Sequence, residues 1–169
     1  MGHAHSGVQL NINEIPCLIK EDLKYLEFLG KGAFGVVQKA YDIRSCSFLA
    51  FKYCQPKESQ SLEEVWEEIG PEDHILKKIE EIQNPCFLRY FGIKKDSLCE
   101  KNMVLVMESG EMTVEDLLKA DIRLTVGEAL YIFNELVDQF ETLQQNGIAN
   151  RDVKPANVII VQNMTIVDL

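Results

Sequence analysis

The most informative segment of this chain of 169 residues reads Asn150-Arg151-Asp152-Val153-Lys154-Pro155-Ala156-Asn157. It places an acid, a lysine and an amide within six residues, at 152, 154 and 157. An acid beside a hydroxyl group can accept or orient its proton, and an amide together with a later acid, Asp168, can hold Mg²⁺. Ordinary turns also favour Asp, Asn and Pro, but a turn alone does not account for this order and spacing.

The residues on both sides of this segment are predicted to be regular structure. Thr125 to Gln145 is typical of a long amphipathic helix, with Thr125 and Glu128 as a capping box at its start. The apolar side chains of this helix fall on one stripe: Ala129, Leu130, Phe133, Leu136, Val137, Phe140 and Leu143. Two short β runs are predicted after the segment, at 158–161 and 165–167.

The N-terminal half contains a Gly-rich turn, residues 30–35, between two β runs. A dinucleotide-binding fingerprint needs a helix directly after its glycines, and here a strand follows. A hairpin can instead bring its backbone N–H groups close to phosphates, because glycine has no side chain to hold the backbone away. By itself this pattern is also that of a plain hairpin. A third β run, 48–54, contains Lys52. Two interpretations of this lysine stay open: its ammonium group binds phosphates, or it lies on an edge strand and faces water.

One helical stretch is predicted among the strands of the N-terminal part, and the chain turns helical after Gly110. Residues 62–82 are helical in pattern but contain Gly70-Pro71, which predicts a short helix followed by a second one starting near Pro71. Further strands are predicted at 87–93 and 103–107, and a short helix around Val114 and Leu118. Strands therefore come first and helices second, which indicates an α+β fold in two lobes.

Charge and cysteine content limit the partners and the compartment. The formal net charge is -10, so nucleic acid and anionic lipid are not expected as main partners. Nine acids between Glu58 and Glu81 are interpreted as a solvated helix face rather than a docking surface. The five cysteines have no CxxC spacing, which favours a reducing, cytoplasmic location. Gly2 meets only the loose pattern for N-myristoylation, so any membrane contact is expected to be weak.

Taken together, these motifs resemble the signature set of the protein kinase family, Ser/Thr type. The resemblance is carried by Gly30–Val37, by Lys52 in Leu-Ala-Phe-Lys, by residues 150–157 and by the terminal Val-Asp-Leu. Lysine two places after Asp152 is the feature that resembles Ser/Thr rather than tyrosine kinases. The likeness runs from about Asp22 to the last residue.

The resemblance implies a protein-kinase-like α+β fold with a five-stranded antiparallel N-lobe, an αC helix and the start of a helical C-lobe. Residues 1–20 are then an N-terminal extension, 21–109 the N-lobe with the hinge, and 110–169 a C-lobe that is incomplete in this sequence. The implied reaction is transfer of the γ-phosphoryl group of Mg-ATP to a Ser or Thr hydroxyl of a protein substrate.

The resemblance also implies roles for single residues. Phosphates would be covered by Gly30, Lys31, Gly32, Ala33, Phe34 and Gly35. Adenine would lie between Val37 and Ala50 above and Ile159 below, against the hinge residues Met107, Glu108 and Gly110. Lys52 would pair with the α- and β-phosphates and with Glu72, Asp152 would be the catalytic base, Lys154 would contact the γ-phosphate, and Asn157 and Asp168 would bind Mg²⁺.

Several positions depart from the family pattern. Asn150 stands where His is usual and Leu169 where Phe is usual. Gly70-Pro71 is expected to put Glu72 in the first turn of its helix, with Glu68 as a poorer substitute partner for Lys52. We expect this sequence to be a fragment without a substrate platform, whose long helix is partly bare. The alternatives are a catalytically inactive nucleotide-binding scaffold and a small-molecule kinase of similar fold.

Overall fold

The computed structural model describes residues 15–32, 35–54, 60–96, 99–161 and 165–168. The N-terminal elements are β1 (Leu23–Gly32), β2 (Gly35–Asp42), β3 (Ser47–Cys54), α1 (Leu62–Ile82), β4 (Tyr90–Asp96) and β5 (Cys99–Glu108). The C-terminal elements are β6 (Met112–Thr113), α2 (Val114–Lys119), α3 (Val126–Gln145), β7 (Val158–Val161) and β8 (Thr165–Asp168). The predicted α+β fold is confirmed.

The five strands β1 to β5 form one antiparallel sheet in the order β1-β2-β3-β5-β4. Its register pairs Gly30 with Val37, Val37 with Lys52, and Lys52 with Leu105. Directly opposed residues of a sheet project from the same face. Gly30, Val37 and Lys52 therefore lie on one face, and Ala50 joins them because it is two residues from Lys52 on β3.

Two hydrophobic clusters lie on the two faces of this sheet. Successive residues of β3 alternate between them: Ala50 and Cys54 belong to the cluster that contains Val65 of α1, whereas Phe51 and Tyr53 belong to the other. A strand that is buried on both faces needs apolar residues at nearly every position. This is why β3 reads as an almost continuous hydrophobic run.

Residues 15–20, predicted as the end of an N-terminal extension, take part in this packing. Ile15 is buried in the cluster beside α1 and Leu18 in the cluster on the opposite face. The Leu18 N–H donates to the Lys95 carbonyl oxygen at 2.8 Å, and the Lys95 N–H donates to the Pro16 carbonyl oxygen at 2.9 Å. The segment thus pairs with edge strand β4 and covers backbone groups that an edge otherwise leaves open.

Helix α1 is continuous, so the predicted break into two helices at Gly70-Pro71 is wrong. Proline inside a helix lacks a backbone donor, and its ring crowds both the carbonyl group one turn earlier and the N–H and Cβ of the residue before it. The residue before Pro71 is glycine, which has no Cβ to crowd. The space beside Gly70 is filled by the Trp66 ring, which a Cβ at this position would approach to 3.1 Å.

Packing and capping hold both halves of α1 together despite the proline. Ser61 accepts the Glu64 N–H at 3.2 Å, and the Ser61 N–H donates to the Glu64 carboxylate at 2.7 Å, which closes a capping box. Val65 and Ile69 are buried before the proline, and Asp73 continues the same buried stripe after it. An interior proline costs about 3 kcal/mol, and burying two aliphatic side chains returns an amount of that size.

Strand β4 begins later than predicted, at Tyr90 instead of Phe87. Phe87 closes a turn, because its N–H donates to the Asn84 carbonyl oxygen at 3.1 Å. The Asn84 side chain also accepts the Cys86 N–H at 2.9 Å. Local hydrogen bonds therefore keep the apolar residues at the start of the predicted strand out of the sheet. Strand β5 extends beyond the predicted 103–107 at both ends.

The two C-terminal helices, α2 and α3, each begin with a capping box. Thr125 accepts the Glu128 N–H at 3.2 Å and its own N–H donates to Glu128 at 2.7 Å, which confirms the predicted start of α3. Thr113 and Asp116 form a second box, which was not predicted, at the start of α2. Strand β6, also not predicted, joins β7 and β8 in a three-stranded sheet.

The predicted apolar stripe of α3 is divided between two environments. Leu143 is buried and Phe140 half-buried, whereas Leu130 and Phe133 are 56% and 62% exposed. The C-terminal half of the stripe therefore packs on the domain and the N-terminal half faces solvent within the described residues. No helix in the described ranges is both long and apolar enough to cross a bilayer.

Candidate nucleotide and catalytic site

Lys52 on β3 and Glu72 on α1 form an ion pair. The Lys52 Nζ donates to the Glu72 Oε1 at 2.6 Å, and the two side chains are 22% and 36% exposed. Glu72 lies near the middle of α1, which spans Leu62–Ile82, and not in a frayed first turn. The substitute, Glu68, instead accepts a hydrogen bond from Gln60 at 2.6 Å. The prediction that Glu72 would lie in the first turn of its helix is therefore wrong.

The Gly-rich turn lies at the end of β1 and the start of β2, with Gly32 paired to Gly35. Gly35 has φ +142°, and a Cβ there would lie 1.9 Å from the Tyr53 carbonyl oxygen. Only glycine fits at position 35, because the backbone of the neighbouring strand β3 leaves no room for a side chain. This requirement does not involve a ligand. At Gly30 a Cβ would meet nothing within 4 Å among the described residues. Ala33 and Phe34 lie outside the described residues.

The hinge, residues 107–110, links β5 to β6. Met107 pairs with Ala50 in the sheet, so both lie beside Val37 and Lys52. The N–H groups on either side of Gly110 are bonded within the chain, from Ser109 to the Phe48 carbonyl at 3.2 Å and from Glu111 to the Ile160 carbonyl at 2.8 Å.

Gly110 packs directly on β7. A Cβ at Gly110 would lie 2.0 Å from the Cγ2 atom of Ile159. Ile159, the residue predicted to pack below adenine, therefore lies against the hinge. Glycine at this position lets the hinge and β7 approach this closely.

Two of the predicted site residues, Lys154 and Asn157, converge on the Asp152 carboxylate. The Lys154 Nζ donates to the Asp152 Oδ2 at 2.6 Å, and the Asn157 Nδ2 donates to the same oxygen at 3.0 Å and to the Asp152 carbonyl at 2.7 Å. Asp152 is exposed. Lys154, and after it the Asn157 amide, lower the pKa of the Asp152 carboxyl below its ordinary value. The group is therefore a negatively charged acceptor across the neutral range.

Asn150 holds the start of this loop. Its side-chain oxygen accepts the Asp152 N–H at 2.9 Å, which is the geometry of an Asx turn. The Pro155 carbonyl oxygen accepts the Glu115 N–H at 3.1 Å, which ties the loop to α2. The asparagine thus orients the backbone of Asp152 by accepting a hydrogen bond, a role that the sequence did not predict.

The two predicted magnesium ligands lie at the same end of the β7–β8 pair. Asp168 is the register partner of Val158, the residue that follows Asn157. The Asn157 oxygen is not used in the bonds that its amide nitrogen makes to Asp152. One amide oxygen and one carboxylate are a donor set that suits Mg²⁺, which usually completes its shell with phosphates and water. The side chain of Asp168 lies outside the described part of the chain.

Comparison with known proteins assigns this arrangement to a family. The family model described as the protein kinase domain matches residues 23–169. The chain belongs to the protein kinase family. It is 30% identical to myosin-IIIa of Mus musculus over 142 residues, which are 80% of this chain and 8% of that protein.

Two further relatives are named as kinases. This kinase domain is 25% identical to a probable serine/threonine-protein kinase, the MRK1 homolog of Encephalitozoon cuniculi, over 83% of the chain and 41% of that protein. It is 31% identical to mitogen-activated protein kinase kinase kinase 3 of Homo sapiens, over 79% of the chain and 21% of that protein. The chain therefore spans less than half the length of these curated relatives.

Sequence reasoning missed two buried polar residues of this kinase domain, Asp73 and Tyr90. Asp73 is 1% exposed and accepts the Tyr90 hydroxyl at 2.7 Å. Burial of the phenol, and then its bond to Asp73, raises the pKa of Tyr90 well above its ordinary value. An acid on the otherwise apolar stripe of α1, four residues after Ile69, was the available signal.

Proposed function

We propose that this kinase domain binds Mg-ATP between the Gly-rich turn and the hinge and transfers the γ-phosphoryl group to a Ser or Thr hydroxyl of a protein substrate. The observation that carries the proposal is the 2.6 Å ion pair between Lys52 and Glu72. A strand lysine held by a helix carboxylate keeps its ammonium group directed at one point. That point lies on the sheet face that also carries Gly30 and Val37.

The charge and the apolar side chains of this face support nucleotide binding. Backbone N–H groups of the Gly-rich turn and the Lys52 ammonium would neutralise the phosphates. Val37, Ala50 and Ile159 are apolar and suit an aromatic base, and the hinge supplies backbone donors and acceptors for its edge. Mg²⁺ held by Asn157 and Asp168 would add positive charge beside the phosphates.

The catalytic loop supplies the groups for transfer. In the proposed step Asp152 accepts the proton of the substrate hydroxyl, whose oxygen forms a bond to the γ-phosphorus as the bond to the leaving phosphate oxygen breaks. Lys154 would stabilise the charge on the transferred group. Because the lowered pKa of Asp152 makes it a weak base, its main contribution would be to orient the hydroxyl and to accept the proton late.

The test compares two carboxamide variants of the full natural protein. Phosphoryl transfer from radiolabelled Mg-ATP to a generic Ser/Thr protein substrate is measured beside calorimetric ATP binding. Asp152→Asn should lower kcat by at least roughly 100-fold and leave ATP binding unchanged. Asp138→Asn, an exposed acid on α3, is the matched control and should change neither. Equal transfer by wild type and Asp152→Asn would remove Asp152 from the mechanism.

A second candidate is a nucleotide-binding scaffold without transfer activity. It is favoured by Asn150, which stands at the position where the family usually has His and whose amide here serves the Asp152 backbone. This reading predicts that the wild-type protein binds Mg-ATP, with loss of binding in Lys52→Ala, yet transfers nothing to protein or peptide substrates. The same two assays therefore separate the candidates.

A further inference from the structure

Helix α1 carries a buried acid where its packing stripe calls for an apolar residue. Val65 and Ile69 precede Asp73 at successive positions of this stripe, and all three are buried. A buried carboxylate is unfavourable unless hydrogen bonds compensate for its lost hydration. Asp73 has two such partners, the Tyr90 hydroxyl at 2.7 Å and the Lys77 ammonium at 2.8 Å.

Tyr90, the first residue of β4, contacts α1 at two points. Its hydroxyl donates to Asp73, and its backbone N–H donates to the Glu80 carboxylate at 2.8 Å. Asp73 and Glu80 lie two helical turns apart. One strand residue therefore fixes both the height and the rotation of α1 relative to the sheet. Apolar packing cannot do this as sharply, because the hydrophobic effect has no directional preference.

The consequence falls on the neighbouring residue, Glu72. Adjacent residues of a helix are separated by roughly 100° and about 1.5 Å. When Asp73 is directed at Tyr90, Glu72 is directed along a second, fixed line, and the Lys52 ammonium lies on that line at 2.6 Å. A rotation or slip of the helix by one residue would break both contacts together.

We propose that the buried Asp73–Tyr90 hydrogen bond is a positioning element that sets the register of α1 so that Glu72 meets Lys52. Tyr90 borders the proposed nucleotide site through its sheet partner Met107, but its hydroxyl is directed at Asp73 on α1. The hydroxyl and Asp73 therefore act through Glu72. The link to catalysis rests on the proposed function, whereas the link to the ion pair does not.

The first test measures kcat/KM for ATP in the full natural protein. Tyr90→Phe removes only the hydroxyl group and should lower kcat/KM roughly tenfold, the equivalent of one hydrogen bond to a charged acceptor. In the Glu72→Gln background the same substitution should change nothing further. A tenfold loss in that background as well would show that Tyr90 acts by another route and would overturn the proposal, as would no loss in either background.

The matched control is Tyr53→Phe. Tyr53 is also buried, and its hydroxyl bonds to that of Tyr25 at 2.8 Å, but it belongs to the cluster on the sheet face away from α1. The Tyr53→Phe substitution should lower the unfolding temperature about as much as Tyr90→Phe does and should leave kcat/KM unchanged. A similar activity loss in the control would mean that Tyr90 has a merely structural role.

The second test does not depend on activity. The coupling between Lys52 and Glu72 is measured by a double-mutant cycle, with Lys52→Met and Glu72→Gln, from unfolding equilibria. In the Tyr90→Phe background, and equally in Asp73→Asn, the coupling should fall to less than half of its wild-type value. Retention of full coupling would overturn the proposal. If wild type transfers no phosphoryl group but the coupling falls, the proposed function fails and the positioning role stands.

Discussion

Replacement of Gly110 by alanine is expected to force the hinge away from β7. The added Cβ would lie 2.0 Å from the Cγ2 atom of Ile159 and 3.1 Å from the Ile160 carbonyl oxygen. Carbon atoms in favourable contact are about 3.5–4.0 Å apart. The hinge and β7 must therefore separate by roughly 1.5 Å, or the Ile159 side chain must leave its rotamer.

Neither relaxation is easy. Ile159 is β-branched, so its χ1 angle has few alternatives. Its backbone is held between Thr113 of β6 and Val167 of β8. Overpacking at such a site costs about 1–3 kcal/mol, and Gly110→Ala should reduce the free energy of unfolding by that amount. ATP affinity should fall too, because the proposed adenine site lies between the hinge and Ile159.

The assay is urea denaturation with calorimetric Mg-ATP binding on four variants. Ile159→Ala removes the Cγ2 atom, so Gly110→Ala should cost little when it is added to Ile159→Ala. Gly127→Ala is the matched control. It also adds one methyl group, its nearest neighbour would be the Thr125 Oγ1 at 3.9 Å, and a helical glycine gains up to about 1 kcal/mol on this change.

Two results would refute this reasoning. If Gly110→Ala is as stable as Gly127→Ala, the hinge does not approach β7 as closely as described. If the loss of stability persists unchanged in the Ile159→Ala background, the contact with the Cγ2 atom of Ile159 is not its cause.

Three further substitutions have definite expected outcomes. Gly35→Ala should destabilise the protein more than Gly110→Ala in the same denaturation assay, because its φ is +142° and the Tyr53 oxygen at 1.9 Å belongs to the backbone. Lys154→Met should raise the pKa of the Asp152 carboxyl, since Lys154 is the main cause of its lowering; carboxyl NMR should then show protonation beginning at higher pH than in wild type. Thr125→Ala should cost about 1 kcal/mol of stability through the lost helix cap, with ATP binding unchanged by calorimetry.

The parts of the fold that follow from local rules could be predicted from the sequence. The capping box at Thr125 needs two residues three positions apart, and it is formed as predicted. The strands β2 and β3 follow from their apolar residues, because such a run beside glycines has few other stable structures. The chemistry-bearing residues Lys52, Asp152 and Asn157 were found through ordered motifs. The structure brings Asp152 and Asn157 into contact.

What could not be predicted depends on neighbours that are distant in sequence. The proline rule applied to Gly70-Pro71 gave a broken helix, because it counts the local cost and not the buried contacts on both sides. Likewise, nothing near Tyr90 in the sequence indicates that its hydroxyl meets Asp73. Residues 15–20 were assigned to an extension because a short apolar patch does not reveal which sheet edge it covers.

The Lys52–Glu72 pair is better understood as a consequence of the position of α1 than as its cause. Glu72 is 36% exposed, and exposed or partly exposed ion pairs contribute on the order of 0–1 kcal/mol. That is too little to hold a helix of 21 residues that contains a proline. The buried side chains of Val65, Ile69 and Tyr90 contribute several times more. The ion pair therefore reports whether α1 is correctly placed, and a kinase built in this way can lose its lysine–glutamate contact through changes that never touch either residue.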